Sequence, residues 1–438
     1  MSRFPSLKSL LIQGNDQRLT LDEQGNNAYF CQPKVNPKLL RLGSSTASSI
    51  SAEQWQLAKN IHASMKQASQ HTQMHDVQHQ QTDMVVQGLR DACHLPQNTH
   101  IQLADSGTDA HLLAMQYFYN KKPKAVWHVI MVDASETGRG VPQALQLEGT
   151  SIRCENIPIR QASGDPLSPH IIDNSIKHAV KSGIQQGWEV VLLLVDVSKT
   201  GCIAPSLDIA LQLRQQHPKQ LHLLLDACQF RLGYETLNHY LQHDIPIAIT
   251  GSKFLAAPSF CAALLVPHHI QKMQTPQALG VLLRWQLALH HLQALNQLPA
   301  HACATFTKNF ATQINHVLQH HDAFLRLPTP VIQRQNQPEK HWQNHPTIFP
   351  FSLKTKQGLV SHQQALRLFK NLQCDVDNPI QLGRPMPLHA HPSIESIGIF
   401  RLCVSAPMMV DAIIQHEQKS IIQQAIDSLQ HCYSLSLS

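Results

Sequence analysis

Four leucines and a histidine, Leu221-His222-Leu223-Leu224-Leu225, run straight into a carboxylate at Asp226. A short apolar run without polar alternation reads as a strand buried on both faces, as in a parallel sheet covered by helices. A carboxylate at the end of such a strand loses hydration, so it needs a positive or hydrogen-bonding partner. The next apolar run, Ile245 to Ile249, is followed by Thr250-Gly251-Ser252-Lys253. Asp226 and Lys253 are twenty-seven residues apart, which suits a short crossover, a neighbouring strand and the start of the loop beyond it. Both side chains would then meet beyond the carboxyl ends of the strands, where open α/β sheets place ligands.

The surrounding chain fits that sheet. Strands are expected at Ile101–Ala104, Val126–Val132, Val190–Val197, Leu221–Leu225, Ile245–Ile249 and Ala262–Val266, with helices over 110–119, 168–186 and 206–216 between them. The alternation predicts an α/β fold whose large domain has a mostly parallel sheet of the seven-stranded type, flanked by helices, with right-handed crossovers. Ahead of it lie an irregular arm over residues 1–48 and helices over 51–69 and 82–93, joined by a Gln/His/Asp-rich stretch. After Pro267 the pattern changes to long helices over 278–298 and 302–323, an extended segment over 347–353, a helix over 361–372, a strand over 398–404 and a last helix over 410–432. That reads as a smaller C-terminal α+β domain. The expected division is an N-terminal arm and helix over 1–80, the large domain over 81–272 and the small domain over 273–438.

Composition narrows the partners. The net charge of +6 comes from 35 basic and 29 acidic residues that are scattered along the chain, so there is no basic stripe for a nucleic acid. The 29 histidines weaken each single one as a metal ligand, and the pairs His268-His269, His290-His291 and His320-His321 lack the cysteine or carboxylate partners of a zinc site. Ten cysteines form no C-x-x-C motif, and Cys228, Cys261 and Cys403 fall in apolar runs. Packed free thiols in a reducing cytoplasm are expected. The first twenty residues have neither the apolar core of a signal peptide nor the length of a membrane span.

Three stretches carry chemistry. Ser106-Gly107-Thr108 follows a strand and opens a helix, where glycine lets backbone N–H groups converge and the helix N-terminus favours an anion. The same residues suit a plain N-cap. Lys253 has apolar Phe254-Leu255 behind it, and desolvation there favours a nucleophilic amine; taken alone it reads as a loop lysine facing water. Thr250 and Ser252 add hydroxyls just before it. Asp226 suits a protonated pyridine nitrogen, and equally a helix cap or a buried ion pair. Gln229 would reach a phenolic oxygen or face water. A lysine for a Schiff base and an acid to keep a pyridine nitrogen protonated are what pyridoxal 5'-phosphate requires.

In order and spacing, Ser106-Gly107-Thr108, Asp226-Ala227-Cys228-Gln229 and Thr250-Gly251-Ser252-Lys253 resemble the fold-type I pyridoxal-phosphate enzymes. Within these the likeness is to the class V aminotransferase group with the cysteine desulfurases and kynureninases, over roughly residues 50 to 430 and most strongly between Leu103 and Pro267. The resemblance implies pyridoxal phosphate as cofactor and Lys253 and Asp226 as catalytic residues. Lys253 would form the Schiff base, Asp226 would pair with the pyridine nitrogen and Gln229 would contact the phenolic oxygen. Ser106, Gly107, Thr108, Thr250 and Ser252 would surround the phosphate. A homodimer is implied as well, because such enzymes can take one hydroxyl of the phosphate cup from the partner subunit.

Arg401, in Phe400-Arg401-Leu402-Cys403-Val404-Ser405, resembles the family's clamp for a substrate α-carboxylate, a task suited to the guanidinium fork. A surface arginine on an exposed strand face is the other reading, and Arg384 in Gly383-Arg384-Pro385 is a second candidate. Arg41 and the turn Gly43-Ser44-Ser45-Thr46, with Ser45 as a substrate contact, would close over the ligand. Three features depart from the family. Ala134 to Gly138 holds no aromatic or histidine to cover the pyridine ring, and nearby His128 sits mid-strand as a core residue. Val197-Ser198-Lys199-Thr200-Gly201 resembles the family's Asn-x-Thr-Gly loop with Ser198, expected as a cofactor contact, in place of the asparagine. Ala256 to Cys261 replaces a glycine-rich stretch after the lysine.

Transamination of a small amino acid or amine needs only the shared residues and is the expected activity. A lyase that cleaves carbon–sulfur or carbon–carbon bonds comes second, and Cys374 is the one thiol outside an obvious core run that a desulfurase would use. A scaffold protein on the same fold is the alternative of another class, disfavoured because both Asp226 and Lys253 are present.

Overall fold

The computed structural model describes residues 4–44, 48–146, 150–267, 277–332, 334, 341–388 and 396–437. Seven strands form the large sheet: β1 (His100–Ala104), β2 (Trp127–Val132), β3 (Ile152–Ile157), β4 (Glu189–Val195), β5 (Leu221–Ala227), β6 (Ile247–Thr250) and β7 (Ala262–Val266). Their order is β1-β7-β6-β5-β4-β2-β3. All neighbours are parallel except β7, which runs antiparallel to both β1 and β6. The apolar runs explain the centre: every residue of β4 and all but His222 of β5 are buried.

From β2 the chain moves outward to β3, and from β4 it moves the other way to β5 and β6. The order therefore reverses between β2 and β4, which opens a crevice beyond their carboxyl ends. Residues 133–140 after β2 and 196–203 after β4 border that crevice.

Helices α1 (Ala52–His71), α2 (Met74–Ala92), α3 (Gly107–Tyr119), α4 (Pro169–Gln185), α5 (Leu207–Gln216) and α6 (Tyr234–Gln242) accompany the sheet. Serines cap four of them: Ser51, Ser106, Ser168 and Ser206 each accept an amide of the first turn, which satisfies N–H groups that have no intrahelical partner. Helix α7 (Leu279–Asn296) is apolar nearly all round and almost wholly buried, as a helix at the centre of a protein must be.

A second sheet is antiparallel. Its strands are β8 (Phe324–Arg326), β9 (Ile348–Thr355), β10 (Gly358–Leu359), β11 (Gly383–Leu388) and β12 (Ile397–Cys403), with β9 pairing β8, β10 and β12, and β12 pairing β11. Helices α8 (Ala300–His320), α9 (His362–Cys374) and α11 (Gln418–Ser436) pack with it, and α10 (Ala406–Ile414) packs on α7, α8 and α11. The N-terminal arm makes a separate two-stranded parallel pairing, Leu40-Arg41 with Ile380-Gln381, and meets the sheet where the Cys403 amide donates to Leu42 O at 2.8 Å.

Several elements differ from the expectation. Helix α2 begins at Met74 rather than Thr82, because the Gln/His/Asp-rich joint is itself helical. Strand β3, with alternating exposure, and the amphipathic α6 were not foreseen. The last helix is two, broken where His416 turns to a φ of +58°. Among the described residues no helix is long and apolar enough to cross a membrane.

One buried cation holds the arm in place. Arg284 on α7 donates to Leu10 O (3.0 Å), Leu11 O (3.2 Å), Gln13 O (2.8 Å) and Phe260 O (2.7 Å). Replacing it by methionine keeps the volume and leaves four carbonyls without their donor. Arg284→Met should cost about 3 kcal/mol, read as a lower urea midpoint; an unchanged midpoint would mean that the arm is held by other contacts.

Candidate active site

Asp226 occupies β5 opposite Val195 of β4 and Ala248 of β6, and is 5% exposed. Its Oδ1 accepts from the Cys228 amide at 3.0 Å, and its Oδ2 lies 3.6 Å from His111 Nε2. Burial alone would raise the Asp226 pKa, but the fields of His111 and Lys253 and the Cys228 amide outweigh it and hold the carboxyl below its ordinary value. Asp226 is thus an anion at the strand end at neutral pH.

His111 was not singled out in the sequence. It is wholly buried on α3, its Nδ1 is 2.6 Å from Gly107 O, and its Nε2 has no hydrogen-bond partner among the described residues. One turn of helix separates it from the Gly107 carbonyl that orients its ring. The signal available was this i, i+4 spacing from the glycine turn, and it was masked by the other histidines of the chain.

The turn before α3 combines both of its expected readings. Ser106 is a true N-cap: its Oγ donates to Asp109 Oδ2 at 2.7 Å and its amide donates to the same oxygen at 3.0 Å, so its hydroxyl proton is spent within the turn. Gly107 is the close approach. A Cβ there would lie 3.0 Å from Cys228 Sγ and 3.2 Å from Thr250 Cγ2, which brings the turn against the loops that follow β5 and β6. Thr108 stands next to Gly140, whose own Cβ would meet Thr108 Oγ1 at 2.9 Å. Thr250 donates its hydroxyl to Cys228 O at 2.7 Å, and buried Ser252 offers its carbonyl to Ser48 Oγ at 2.9 Å. The first-turn amides of Gly107 and Thr108 open a thirteen-residue helix without intrahelical partners, an end that favours an anion.

Gly107→Ala should therefore fill the cradle. The expected outcome is roughly tenfold weaker binding of a phosphate-bearing ligand, from about 1–3 kcal/mol of overpacking, measured by fluorescence titration with pyridoxal phosphate. Affinity equal to wild type would place the phosphate elsewhere.

Lys253 lies half-buried in the loop after β6, within electrostatic reach of Asp226, Cys228 and Lys199. Behind it the Phe254 ring stacks on Trp342, with centroids 5.4 Å apart, and the Arg231 guanidinium lies 5.1 Å from the Phe254 centroid. Gln229 is buried and its Oε1 has no partner; the two ends of an amide are exchanged by a flip, so the group can present either a donor or an acceptor there.

Ser198 is placed differently from the expectation. Its hydroxyl donates to Glu136 Oε2 at 2.7 Å and accepts from the Cys202 and Thr200 amides at 3.1 and 3.3 Å, which leaves no proton for a cofactor oxygen. Glu136 and Arg160, joined at 3.1 Å, complete a buried network that the sequence did not reveal. His128 is indeed a core residue, with Nε2 3.0 Å from Glu155 Oε2.

Arg401 is buried, not on an exposed face. Its Nη2 donates to Arg384 O at 2.7 Å, while its Nε has no partner among the described residues. Gly383 opposite it makes room: a Cβ there would lie 3.2 Å from Arg401 Nε. Arg384 is half-buried and donates to Ala28 O at 3.0 Å. Gly43 of the arm packs on Leu382, where a Cβ would meet its carbonyl oxygen at 2.6 Å, and Arg41 donates to Leu39 O at 2.9 Å. Ser45 and Thr46 lie outside the described residues. Cys374 is exposed at the end of α9, and all ten cysteines are free. Among the described residues no group of three or more histidines, cysteines and carboxylates is arranged to hold a metal ion.

This architecture is that of the fold-type I pyridoxal-phosphate enzymes. Tryptophan decarboxylase of Catharanthus roseus, crystallised with L-tryptophan, superposes with a TM-score of 0.55 at 13% identity, over 91% of this chain and 84% of the other. The cysteine desulfurase CsdA of Escherichia coli gives 0.55 at 13% identity, over 90% and 94%. A NifS-like protein gives 0.54 at 9% identity, over 90% and 99%. No family profile matches the chain, and no curated protein matches it in sequence. At such identities the likeness establishes the fold, and the chemistry rests on the site.

Proposed function

We propose that the chain is a pyridoxal-phosphate-dependent enzyme that acts on an amino acid through Lys253, and that the reaction is transamination. One observation carries the cofactor reading: an ionised, buried Asp226 stands at the strand end within the field of Lys253, with the Gly107 cradle beside it. The residues fit the group. Asp226 would hold the proton of the pyridine nitrogen, the Gln229 amide, whose Oε1 has no partner among the described residues, would meet the phenolic oxygen, and the helix N-terminus at Gly107-Thr108 would receive the phosphate. When bound, pyridoxal phosphate supplies an electron sink that labilises bonds at Cα.

The protein then decides which bond. Arg401, buried with an unpartnered Nε, would bind the substrate α-carboxylate and fix its orientation. A carboxylate gripped in this way is retained, which favours removal of the Cα proton over loss of carbon dioxide. Lys253 is the amine within the field of Asp226 and the base to move that proton. Exposed Cys374 at a helix end gives no support to the desulfurase alternative. A homodimer belongs to the same reading, and ten unpaired thiols suit a reducing compartment such as the cytoplasm.

The test is product analysis on protein loaded with pyridoxal phosphate, using a panel of L-amino acids with pyruvate or 2-oxoglutarate as acceptor. Transfer of the amino group is expected. Release of carbon dioxide, sulfide or a cleaved side chain without transfer would make the protein a lyase, and failure to load would leave the scaffold reading.

A further inference from the structure

Lys199, in the loop after β4, has no part in the reading so far. Its amide donates to Glu136 O at 2.9 Å and its Nζ to Ser135 O at 3.1 Å. The nearby acid does not neutralise it, because the Glu136 carboxylate is taken by Ser198 Oγ (2.7 Å), Thr200 Oγ1 (2.7 and 2.8 Å) and Arg160 Nε (3.1 Å). The other charged groups that act on Lys199 are all cations: Arg401 on β12, Lys253 after β6 and Arg139 after β2. Arg401 in turn keeps its buried Nε without a partner.

Among the described residues, these two cations have no acid left to pair with them, and such a pair defines an anion site. We propose that Lys199 is a substrate-binding residue, which with Arg401 forms a two-cation clamp for the carboxylate of an amino-acid substrate and takes up a proton from solvent as the anion arrives. This rests on the amino-acid reading above. Burial first, and then repulsion from Arg401 and Lys253, bring the Lys199 ammonium down to about 7. Below that pH the amine is already charged and binding moves no proton. Above it the free protein holds a neutral amine, the anion has to bring the proton in, and affinity falls by up to about tenfold per pH unit. The bond formed is N–H at Lys199 Nζ, and the bond broken is that of the proton to solvent or to the buffer acid.

The experiment uses protein loaded with pyridoxal phosphate and two carboxylates that lack an amine and cannot react, succinate and 3-indolepropionate. Their binding is measured by calorimetry from pH 6 to 9, in buffers of different ionisation enthalpy, for wild type, Lys199→Arg and Lys199→Gln. Loading is checked first by absorbance. In wild type the better probe should weaken roughly tenfold or more between pH 7 and 9 and take up protons over that range. Lys199→Arg, charged throughout, should bind with no such decline and no uptake. Lys199→Gln should bind roughly 10- to 100-fold more weakly at pH 6. The proposal is overturned if Lys199→Gln binds like wild type, if the decline persists in Lys199→Arg, or if loaded wild type binds neither probe. A wild type that does not load overturns the cofactor reading as well, and shows this before any probe is added.

Discussion

Lys253→Ala should lower turnover by roughly 10³- to 10⁴-fold, since one change removes both the amine that would attach the cofactor and the base that would move the Cα proton. The fold should survive it. The loop is held by backbone bonds that alanine keeps: Gly251 N to Cys261 O (3.0 Å), Ala257 N to Gly251 O (3.1 Å) and Ala256 N to Lys253 O (2.9 Å). Phe254 remains anchored on Trp342. The measurement is kcat with the amino acid found in the transfer assay, alongside far-ultraviolet circular dichroism. A small primary amine added to the variant should restore part of the rate. Turnover within tenfold of wild type would mean that another group does the work.

Asp226→Asn should be nearly as severe, with a loss of roughly 10²- to 10⁴-fold in kcat. The amide is isosteric, and its oxygen can still accept from the Cys228 amide, so packing is preserved while the charge is removed. A neutral partner does not hold a proton on a pyridine nitrogen, and the ring then withdraws electrons less strongly. The effect should appear in kcat far more than in cofactor affinity, because the phosphate site proposed at Gly107 and Thr108 is untouched. The pH dependence follows from the direction of the shift. A lowered carboxyl pKa contributes stability in full above its ordinary value, and loses it only as pH falls through the lowered one. Asp226 should therefore not titrate in an activity profile between pH 5 and 9. A wild-type limb in that window that disappears in Asp226→Asn would contradict this placement.

The large sheet was legible because its central strands are almost pure runs of apolar residues, and burial on both faces leaves no room for another pattern. The edge was not. In β3, Ile152-Arg-Cys-Glu-Asn-Ile157, half the residues face solvent, and the polar ones hide the strand. The start of α2, Met74-His-Asp-Val-Gln-His-Gln-Gln, reads as a linker by composition, yet Val77 and Gln81 turn inward on a helical face. The final helix was read as one because its apolar periodicity continues past His416, where the break lies in backbone conformation rather than in side-chain type.

At the site, residues at strand ends and helix starts were legible because topology alone sends them to one edge. Asp226, Gly107, Gln229 and Lys253 belong to that group. Residues defined by partners distant in sequence were not. Ser198 looked like a ligand contact until Glu136, sixty-two residues earlier, proved to take its proton. His111 gains meaning only from the ring's approach to Asp226, and Lys199 only from the lack, among the described residues, of a free acid around it.

The most direct test of the cofactor assignment is to load the purified protein with pyridoxal phosphate, reduce it with borohydride and map the modified peptide by mass spectrometry. A single pyridoxyl group on Lys253, with bleaching of the visible band, is the predicted result. A label on Lys199 or another lysine, or none, would contradict the account.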